Sequence, residues 1–328
     1  MRFAVMGLGL SGIAAMDVLT SRGARVRGFD AREGAIDSLR GSGWILHADD
    51  DPTRLAEAVL ADTDVVVISP GIPSAAPIYA LAAQRGIAVW SEVELAWRVR
   101  AGATAGHAAP WLAVTGTNGK TTTVTMASTI LRAAGINAPT VGNVGTPIVE
   151  VAARGGVDAL VVELSSFQLH STHTISPLAS VCLNIAEDHL DWHQGFANYV
   201  AAKAKVYERT QVACIYTDTV TRRMVEEADV VAGARAVGTS VGIPGPGDIG
   251  CVEDMIIDRA FASPAVELAR LADFTTYANL PGHVLSNGIV ASALARAYGV
   301  EPEAIRDGLR AFHPVAHRIE VVAEVNGV

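Results

Sequence analysis

The chain has 328 residues, of which half are apolar and 18% are charged, a composition typical of a globular protein with large cores. This length predicts two or three domains. The formal charge is 25 − 34 = −9 and there is no basic tract, which argues against nucleic acid as the main partner. An anionic ligand is therefore expected to be bound by local features of the fold and not by a general positive field.

The cysteine pattern and the absence of targeting signals predict a cytoplasmic protein. No apolar run reaches the length of a membrane span, and the N-terminus lacks the basic region and cleavage site of a signal peptide. The three cysteines, Cys182, Cys214 and Cys251, are scattered and show no CxxC spacing. This pattern indicates a reducing compartment, without a disulfide framework or a zinc site.

The chain begins with a predicted strand, a glycine-rich loop and a helix. The strand is Arg2–Met6, the loop Gly7–Gly12 spells G-x-G-x-x-G, and the helix is predicted from about Ile13 to Ser21. A second strand, Ala24–Phe29, ends at Asp30, 18 residues after the last glycine of the motif, where a carboxylate can accept hydrogen bonds from ribose hydroxyls. The unit is therefore predicted to bind a nucleotide diphosphate.

The identity of that nucleotide stays open at this point. NAD is the usual ligand of the motif, but a dehydrogenase needs a second domain built for hydride transfer, and the second domain here opens with an ATP-type loop. A structural role is the other interpretation, with the glycines serving only to pack the helix tightly on the strand.

The rest of the first domain continues the alternation of strands and helices. Ser69–Pro73 forms a turn at the end of a strand, which is where open parallel sheets bind ligands. The remaining predicted elements are two strands (Asp64–Ile68 and Ala88–Trp90), two crossover helices (Thr53–Ala61 and Ile78–Arg85) and a linker (Ala101–Pro110).

The most informative segment is Val114–Thr122, with the sequence VTGTNGKTT. It lies between an apolar run, Trp111–Val114, predicted to be a buried strand, and a predicted helix, Thr123–Ala134. A glycine-rich loop between a strand and a helix is the layout of a phosphate-binding loop. The glycine spacing is tighter than usual, so an ordinary strand-turn-helix connection is the alternative interpretation.

Four residues of this loop have the chemistry that phosphate binding needs. Gly116 and Gly119 allow positive φ angles, which turn backbone N–H groups towards an anion. Lys120 can reach the outer phosphates, and the hydroxyl of Thr121 can hold Mg²⁺.

Two further segments place polar residues near this loop. Asn143 lies between two glycines in the segment Pro139–Pro147 and either faces a ligand or caps a turn. A buried strand, Ala159–Glu163, ends in a carboxylate, which lies beside the phosphate loop if the sheet is parallel. Such a carboxylate holds Mg²⁺ in P-loop enzymes, and the alternative is a helix cap formed with the following serines.

The segment 187–193 combines three carboxylates and two imidazoles after a predicted strand, Ser180–Ile185. Such a cluster can hold Mg²⁺ directly or through water, and His189 stands just past the strand end. A helix is predicted at Tyr199–Arg209 and contains Lys203 and Lys205, for which a surface position is the default.

The last third of the chain shows no catalytic motif. Residues 212–266 are predicted to form a small, partly antiparallel lobe, followed by helices at Asn287–Tyr298 and Glu303–Phe312. Residues 317–327 alternate apolar and polar residues up to an Asn-Gly turn, and the chain ends at Val328. Because the hairpin has no return strand, a further domain is expected to be missing.

Taken together, these motifs resemble the Mur ligase family of peptidoglycan synthesis over nearly the whole chain. The run Glu163–Leu169 (ELSSFQL) is the most discriminating, because it looks like the member that adds D-glutamate. The segments that carry the resemblance are Gly7–Gly12, Ser69–Gly71, Thr115–Thr122, Gly142–Gly145, Glu163–Leu169, Asn184–Asp191, Ala201–Lys203 and His317–Glu320.

The resemblance implies an α/β fold with two complete domains. These are an N-terminal Rossmann-like parallel-sheet domain (residues 1–102) and a central P-loop ATPase-like α/β domain (residues 103–314). Residues 315–328 would be the first strand of a C-terminal Rossmann-like domain that is otherwise absent.

The resemblance also implies a role for each candidate residue. Lys120, His189 and Lys203 would be catalytic. The UDP part of the substrate, and not NAD, would be bound by Gly9, Leu10, Ser11, Gly12, Asp30, Arg32 and Gly71, and its muramoyl-alanine end by Asn143 and Gln168. ATP would be bound by Gly116, Thr117, Asn118, Gly119, Lys120, Thr121 and Thr122, with Asn287 at the adenine and Arg318 at the phosphates. One Mg²⁺ would be held by Thr121 and Glu163, and a second by His189 and carbamylated Lys203.

The implied reaction is an ATP-dependent ligation by a cytoplasmic monomer. ATP would phosphorylate the carboxylate of UDP-N-acetylmuramoyl-L-alanine to an acyl phosphate, which the amine of D-glutamate would attack. Two departures from the family pattern stand out. His283–Val284 replaces a His-Asn pair, so that Asn287 is slightly out of register, and the amino-acid-binding domain is missing beyond its first strand. This chain is therefore expected to bind its UDP substrate and ATP but to ligate poorly.

Two alternatives remain beside this interpretation. One is another Mur or folylpolyglutamate-type ligase, and the other is a nucleotide-binding module without catalysis.

Overall fold

The computed structural model describes residues 1–102, 108–143, 145–274 and 280–313. Two α/β units follow each other along the chain, an N-terminal unit (residues 1–99) and a central unit (residues 111–311), each built on a parallel sheet. The fold therefore has the predicted class.

The N-terminal unit alternates strands and helices. Its elements are β1 (Arg2–Met6), α1 (Leu10–Ser21), β2 (Arg25–Asp30), α2 (Glu33–Asp37), β3 (Ile45–Ala48), α3 (Pro52–Leu60), β4 (Val65–Ile68), α4 (Pro77–Gln84), β5 (Ala88–Ser91) and α5 (Glu92–Val99). The strands predicted from apolar runs and the helices α1, α3 and α4 are confirmed. The short strand β3 and the helix α5 were not predicted.

The N-terminal sheet has the strand order β3-β2-β1-β4-β5, and all neighbouring strands are parallel. The order reverses between β1 and β4, because the chain crosses from one side of β1 to the other. In open parallel sheets the loops diverge at such a point and leave a crevice at the carboxyl ends of the strands.

The central unit is larger and carries two sheets. Its elements are β6 (Trp111–Thr115), α6 (Lys120–Ala133), β7 (Thr140–Gly142), α7 (Ile148–Arg154), β8 (Leu160–Glu163), α8 (Ser166–His170), β9 (Ala179–Cys182), α9 (Leu190–His193), α10 (Phe196–Ala204), β10 (Ala213–Tyr216), α11 (Thr219–Glu227), β11 (Arg235–Gly238), β12 (Ile249–Val252), β13 (Met255–Asp258), β14 (Val266–Arg270), α12 (Gly282–Tyr298) and α13 (Pro302–Ala311).

The main sheet of this unit has the order β11-β10-β9-β6-β8-β7 and is parallel throughout. Strand β6 therefore lies between β8 and β9, with Val114 opposite Glu163 and Thr115 opposite Cys182. The three segments that follow these strands leave the sheet at the same edge.

The predicted lobe at 212–266 is partly wrong. Strands β12, β13 and β14 do form a separate antiparallel sheet, but β10 and β11 extend the main parallel sheet. The missed feature is α11, a charged helix that connects the two strands and that begins at Asp218, whose side chain accepts a hydrogen bond from the N–H of Thr221. With few apolar residues in this helix, the βαβ pattern does not stand out in the sequence.

A shared apolar layer joins the two units. Helices α1 and α5 of the N-terminal unit pack on α7 of the central unit, and the same cluster of buried side chains continues from one unit to the other. Trp97 of α5 and the fully buried Trp111 of β6 meet edge to face, with ring centroids 4.9 Å apart. Burial of this layer is the main force that fixes the relative position of the units.

Two buried carboxylates of α5 also cross this boundary. Glu94 accepts hydrogen bonds from the backbone N–H groups of His173 and Thr174, from the Thr174 hydroxyl and from Arg98. Glu92 accepts the N–H of Val149, 2.8 Å from its Oε1, while its Oε2 has no partner among the described residues.

The two carboxyl groups have opposite pKa shifts. Burial raises the pKa of Glu92 to about 7, and the negative Glu150 adds to that effect. Burial also acts to raise the pKa of Glu94, but the bonds from Thr174, His173 and Arg98 outweigh it, and the pKa lies below its ordinary value.

Within the described residues, no helix has the length and apolar character needed to span a membrane. The predicted hairpin at 317–327 and the predicted boundary at 314 lie outside the described residues, as does part of the linker (residues 103–107). The division of the chain at 102 stays a prediction.

We expect Gly308→Ala to destabilise the protein by about 1–3 kcal/mol, because a Cβ at this position in α13 would overlap the backbone of Ile130 in α6. Gly282→Ala is the matched control, since a Cβ at this exposed first residue of α12 would meet no heavy atom of the described chain within 4 Å. Thermal unfolding of both variants checks this. An equal, small effect of the two substitutions would contradict the close packing of α13 on α6.

We expect the melting temperature of Glu92→Gln, relative to that of the wild type, to be higher at pH 8 than at pH 5. The difference between the two pH values should be about 2–4 °C. The raised folded pKa of Glu92 means that its contribution to stability is complete below the unfolded pKa and is lost as the pH rises through about 7. Glutamine does not titrate and avoids this loss.

Glu94→Gln is the matched control and should show the opposite trend. Because the folded pKa of Glu94 is lowered, its contribution is present at neutral pH and is lost in acid. Melting temperatures of both variants between pH 3 and pH 8 provide the measurement, with the change for Glu94→Gln expected below pH 5 and the change for Glu92→Gln above it. Parallel pH profiles for the two would contradict the assignment.

Candidate functional site

A cleft of about 690 Å³ opens at the carboxyl ends of β1, β2 and β4, where the strand order of the N-terminal sheet reverses. Residues at the three strand ends line it, among them Met6, Asp30 and Ser69. The position at the reversal of strand order is the one at which open parallel sheets bind nucleotides.

The structure divides the residues predicted to bind UDP into two sets. Gly9, Asp30, Arg32 and Gly71 line the cleft. Leu10, Ser11 and Gly12 belong to the first turns of α1 and do not line it. Gly12 serves packing, because a Cβ there would overlap the carbonyl oxygen of Gly7.

Asp30 holds the glycine-rich loop in place. Its carboxylate accepts the N–H of Leu8 at 2.8 Å and both the N–H and the Nε of Arg32, at 2.9 and 3.2 Å. Burial acts to raise the pKa of Asp30, but the bonds from Arg32 and Leu8 bring it below its ordinary value. The carboxylate is therefore charged at neutral pH and fixes the exposed Arg32 at the rim of the cleft.

The loop after β6 has the geometry of a phosphate cradle. Gly119 caps helix α6 with a φ of 84°, in the left-handed region that favours glycine. Nζ of Lys120 donates to the carbonyl oxygens of Gly116 and Thr117, both at 2.9 Å. The loop backbone therefore surrounds the end of the Lys120 side chain. The loop leads directly into the N-terminus of α6 at Lys120, the end of a helix that attracts anions.

Two residues that were not predicted as site residues hold this loop in place, Asn184 just after β9 and Tyr199 in α10. Asn184 forms a reciprocal pair with Asn118, accepting its N–H at 2.9 Å and donating to its carbonyl oxygen at 3.1 Å. Thr117 donates its N–H to the carbonyl oxygen of Asn184, and its hydroxyl is 2.9 Å from that of Tyr199. No local pattern marks such contacts, since they join residues 66 and 82 positions apart.

Glu163 lies beside the phosphate loop, as expected for a parallel sheet. The carboxylate is buried and accepts the hydroxyl of Thr121 at 2.9 Å and Nδ2 of Asn143 at 3.0 Å. Asn143 therefore faces the same site from the end of β7. A carboxylate next to a hydroxyl at the start of a helix supplies the oxygen ligands that Mg²⁺ prefers.

Gln168 caps a helix. Its Oε1 accepts the N–H of Ser165 at 2.9 Å, while its own N–H donates to the Ser165 hydroxyl, a reciprocal capping box at the start of α8. The side chain is buried, and its predicted role towards substrate stays a prediction.

Lys203 is not a surface residue, contrary to the default expectation. It is only 2% exposed, and its Nζ donates to the carbonyl oxygen of Gly116 at 2.8 Å from beneath the phosphate loop. Burial lowers the pKa of Lys203 to about 8, and the nearby charge of Lys120 adds to the effect. A lysine in this state is partly neutral near physiological pH and can act as a nucleophile.

The acidic and histidine-rich segment spreads its side chains in different directions. His189 has a left-handed backbone, is half exposed and lies 3.3 Å from the carboxylate of Asp188. His193 is buried, with its Nε2 2.9 Å from the Ser166 hydroxyl, and burial lowers its pKa to about 4. Across the described residues, no three side chains of His, Cys, Asp or Glu form a metal-binding group.

Asn287 is in contact with the phosphate loop. Its Oδ1 would be 2.8 Å from a Cβ on Gly119, which places this buried residue of α12 directly behind the cradle. Arg318, the other residue predicted to bind ATP outside the loop, lies outside the described residues.

Family models match both units of the chain. A model described as "Mur ligase MurD-like, N-terminal domain" matches residues 1–91, and one described as "Mur ligase middle domain" matches residues 114–242. The second match includes the phosphate loop, Glu163, His189 and Lys203.

Curated relatives resemble the chain over almost its whole length. A UDP-N-acetylmuramoylalanine–D-glutamate ligase of Streptomyces avermitilis is 46% identical over 333 residues, which cover 99% of this chain and 69% of the relative. Proteins of the same name from Leifsonia xyli subsp. xyli and Thermobifida fusca are 44% and 45% identical, and the match covers all of this chain and 67% and 70% of those proteins.

Solved structures share the fold at lower identity. The UDP-N-acetylmuramate:L-alanyl-gamma-D-glutamyl-meso-diaminopimelate ligase of Neisseria meningitides has a TM-score of 0.59 at 17% identity, covering 96% of this chain and 98% of that one. A murein peptide ligase of Psychrobacter arcticus has a TM-score of 0.57 at 18% identity, covering 99% and 71%. At these identities the likeness shows the fold alone.

We expect Asn184→Ala to weaken binding of a non-hydrolysable ATP analogue with Mg²⁺ by about tenfold, because the phosphate loop loses two hydrogen bonds that fix Asn118. Asn137→Ala is the matched control, since this asparagine bonds Gly156 at the amino end of β7, on the opposite edge of the sheet. Calorimetric titration of both variants checks this, and equal affinities would show that the Asn118–Asn184 pair does not shape the loop for its ligand.

Proposed function

Because the chain belongs to the family of UDP-N-acetylmuramoylalanine–D-glutamate ligases, we propose that it uses ATP to join D-glutamate to UDP-N-acetylmuramoyl-L-alanine in the synthesis of peptidoglycan precursors. The observation that carries this proposal is that one chain contains two sites suited to anionic ligands. One is the cleft at the reversal of the N-terminal sheet, and the other is the phosphate loop with Thr121 and Glu163 beside it.

The UDP end of the substrate is assigned to the N-terminal cleft. Its size suits a nucleotide, since ligand pockets of this kind measure about 300–1,000 Å³. Arg32, fixed by Asp30 at the rim, supplies the positive charge that a pyrophosphate needs in a chain of net negative charge. Gly9 and Gly71 let the ligand approach the backbone closely.

ATP and the first Mg²⁺ are assigned to the phosphate loop. Backbone N–H groups between Gly116 and Thr122 would bind the phosphates, with Lys120 turning its ammonium from the loop carbonyls towards the outer phosphates. The pair formed by Thr121 and Glu163 fits Mg²⁺, because both supply oxygen atoms and already lie within hydrogen-bond distance. Mg²⁺ bound there would neutralise charge on the transferred phosphoryl group.

A second Mg²⁺ is assigned to His189 and Lys203, as the family resemblance implies. An ammonium repels a metal ion, so Lys203 must first change its charge. Its neutral amine would attack carbon dioxide to form a carbamate anion with release of a proton. Burial beside Gly116 favours this reaction, because it increases the neutral fraction of the amine. We further propose that the chain binds two Mg²⁺ ions and acts as a monomer in the cytoplasm.

The chain's own residues have three tasks in this reaction. The N-terminal cleft holds the UDP end, so that the carboxylate of the L-alanine reaches the phosphate loop. Lys120 and the loop N–H groups stabilise the negative charge that develops as the phosphoryl group moves to that carboxylate. Asn143 and Glu163 fix the geometry between the two ends. The resulting acyl phosphate is the species that the amine of D-glutamate attacks.

The direct test is isothermal titration with UDP-N-acetylmuramoyl-L-alanine, with NADH as the comparison ligand, followed by a non-hydrolysable ATP analogue with Mg²⁺. We expect binding of the UDP compound and of the ATP analogue, and none of NADH. If the folded chain does not bind the UDP compound, the assignment of the N-terminal cleft is wrong.

We expect Lys120→Ala to abolish binding of the ATP analogue and to leave binding of the UDP compound nearly unchanged, because the two sites lie on different units. Arg132→Ala removes the same charge from the far end of the same helix and is the control that should bind both ligands. If Lys120→Ala loses both ligands while its melting curve stays that of the wild type, the division of labour between the units is wrong.

A further inference from the structure

Glu92 stands out among the buried groups that the proposed mechanism does not use. It is the first residue of α5, only 2% of its surface is exposed, and it lies between the two units. Its Oε1 accepts the N–H of Val149 at 2.8 Å, across the boundary, and its Oε2 has no hydrogen-bond partner among the described residues. A buried carboxyl group with one unpartnered oxygen is costly, so its retention needs a reason.

One side of Glu92 borders the loops that build the nucleotide cleft. Together with Ser11, Gly12 and Ser69 it encloses a small space that is too narrow for a water molecule. Ser69 also lines the large cleft on its other side. The carboxyl group therefore lies against the start of α1 and directly behind Ser69, the residue after β4 that lines the cleft.

The other side of Glu92 is tied to the central site. Val149 lies in the first turn of α7, a few residues after the segment that leaves β7 at Asn143. Asn143 donates to Glu163, and Glu163 accepts the hydroxyl of Thr121 at the phosphate loop. Glu92 thus lies beside Ser69, which lines the cleft, and accepts a hydrogen bond from the first turn of α7. Helix α7 follows Asn143 in the chain.

Glu94, on the same helix and in the same boundary, provides the contrast. All its hydrogen bonds go to Arg98 and to the segment around His173 and Thr174, away from the cleft and from Asn143. Its carboxylate is fully satisfied, which is what a purely structural interface group requires.

We propose that Glu92 is a positioning residue that sets the distance between the nucleotide cleft and the Asn143 segment, so that one substrate molecule spans both. The inference rests on the proposed function, in which the UDP end occupies the cleft and the muramoyl-alanine end reaches Asn143. The hydrogen bond between Val149 and Glu92 should therefore affect binding of the muramoyl-alanine part of the substrate and not binding of the nucleotide part.

The test compares two probes on three variants. Free UDP reaches only the cleft, whereas UDP-N-acetylmuramoyl-L-alanine also reaches Asn143. Glu92→Met keeps the volume of the side chain but removes the acceptor of the Val149 N–H, Glu92→Gln keeps that acceptor, and Glu94→Gln is the matched control in the same interface. Calorimetric titrations measure the affinities, and melting curves confirm that each variant is folded.

We expect Glu92→Met to bind UDP as the wild type does and UDP-N-acetylmuramoyl-L-alanine about tenfold more weakly, the effect of one lost buried hydrogen bond. Glu92→Gln should restore the affinity to within about twofold, and Glu94→Gln should bind both probes normally even where its stability falls. Should Glu92→Met not fold, Glu92→Asp replaces it, because the shorter side chain withdraws the acceptor from Val149 without removing the carboxyl group.

Three results would overturn the inference. Wild-type affinity of the Met or Asp variant for both probes would exclude a positioning role. An equal loss of UDP and of the full substrate would place the effect in the cleft itself, and an equal loss in the Glu94 variant would make it a general effect of the interface. A wild-type chain that binds UDP but gains nothing from the muramoyl-alanine part would instead refute the proposed function on which the inference rests.

Discussion

The candidate active site depends on the position of β6 between β8 and β9 in a parallel sheet. Because parallel strands end at the same edge, the phosphate loop, Glu163 and the segment that begins at Asn184 leave the sheet side by side. The contacts of Glu163 with Thr121 and of Asn184 with Asn118 follow from that register. An antiparallel pairing of any of these strands would move its polar residues to the opposite edge.

Local dipoles and single charges replace a general positive field in this chain. The net charge is −9, and the proposed anion sites therefore depend on local features, one on the N-terminus of α6 and the other on Arg32 beside Asp30. Lys120 and Lys203 both donate to the carbonyl oxygen of Gly116, from two sides of the same loop. Burial lowers the pKa of Lys203, and the nearby charge of Lys120 adds to the effect.

The boundary between the units combines two kinds of interaction. The apolar layer around Trp97 and Trp111 supplies most of the attraction, but apolar contacts are not directional and tolerate sliding. The hydrogen bonds of Glu92 and Glu94 to backbone groups of the central unit are directional and fix one arrangement. A substrate that spans both units requires such an arrangement, since a misplacement of about 1 Å can cost an enzyme about 100-fold in rate.

The sequence by itself determined the elements and the two motifs. The apolar runs and the glycine loops are local patterns, so the strands β1, β4, β6 and β8, the loop from Gly116 and the position of Glu163 beside it could be predicted. Only the tertiary structure decided the burial of Lys203, the support of the loop by Asn184 and Tyr199, the capping role of Gln168 and the bridging position of Glu92. Except for Gln168, these features join residues more than 50 positions apart in the chain. Distances of this kind are set by packing, which no local pattern of residues records.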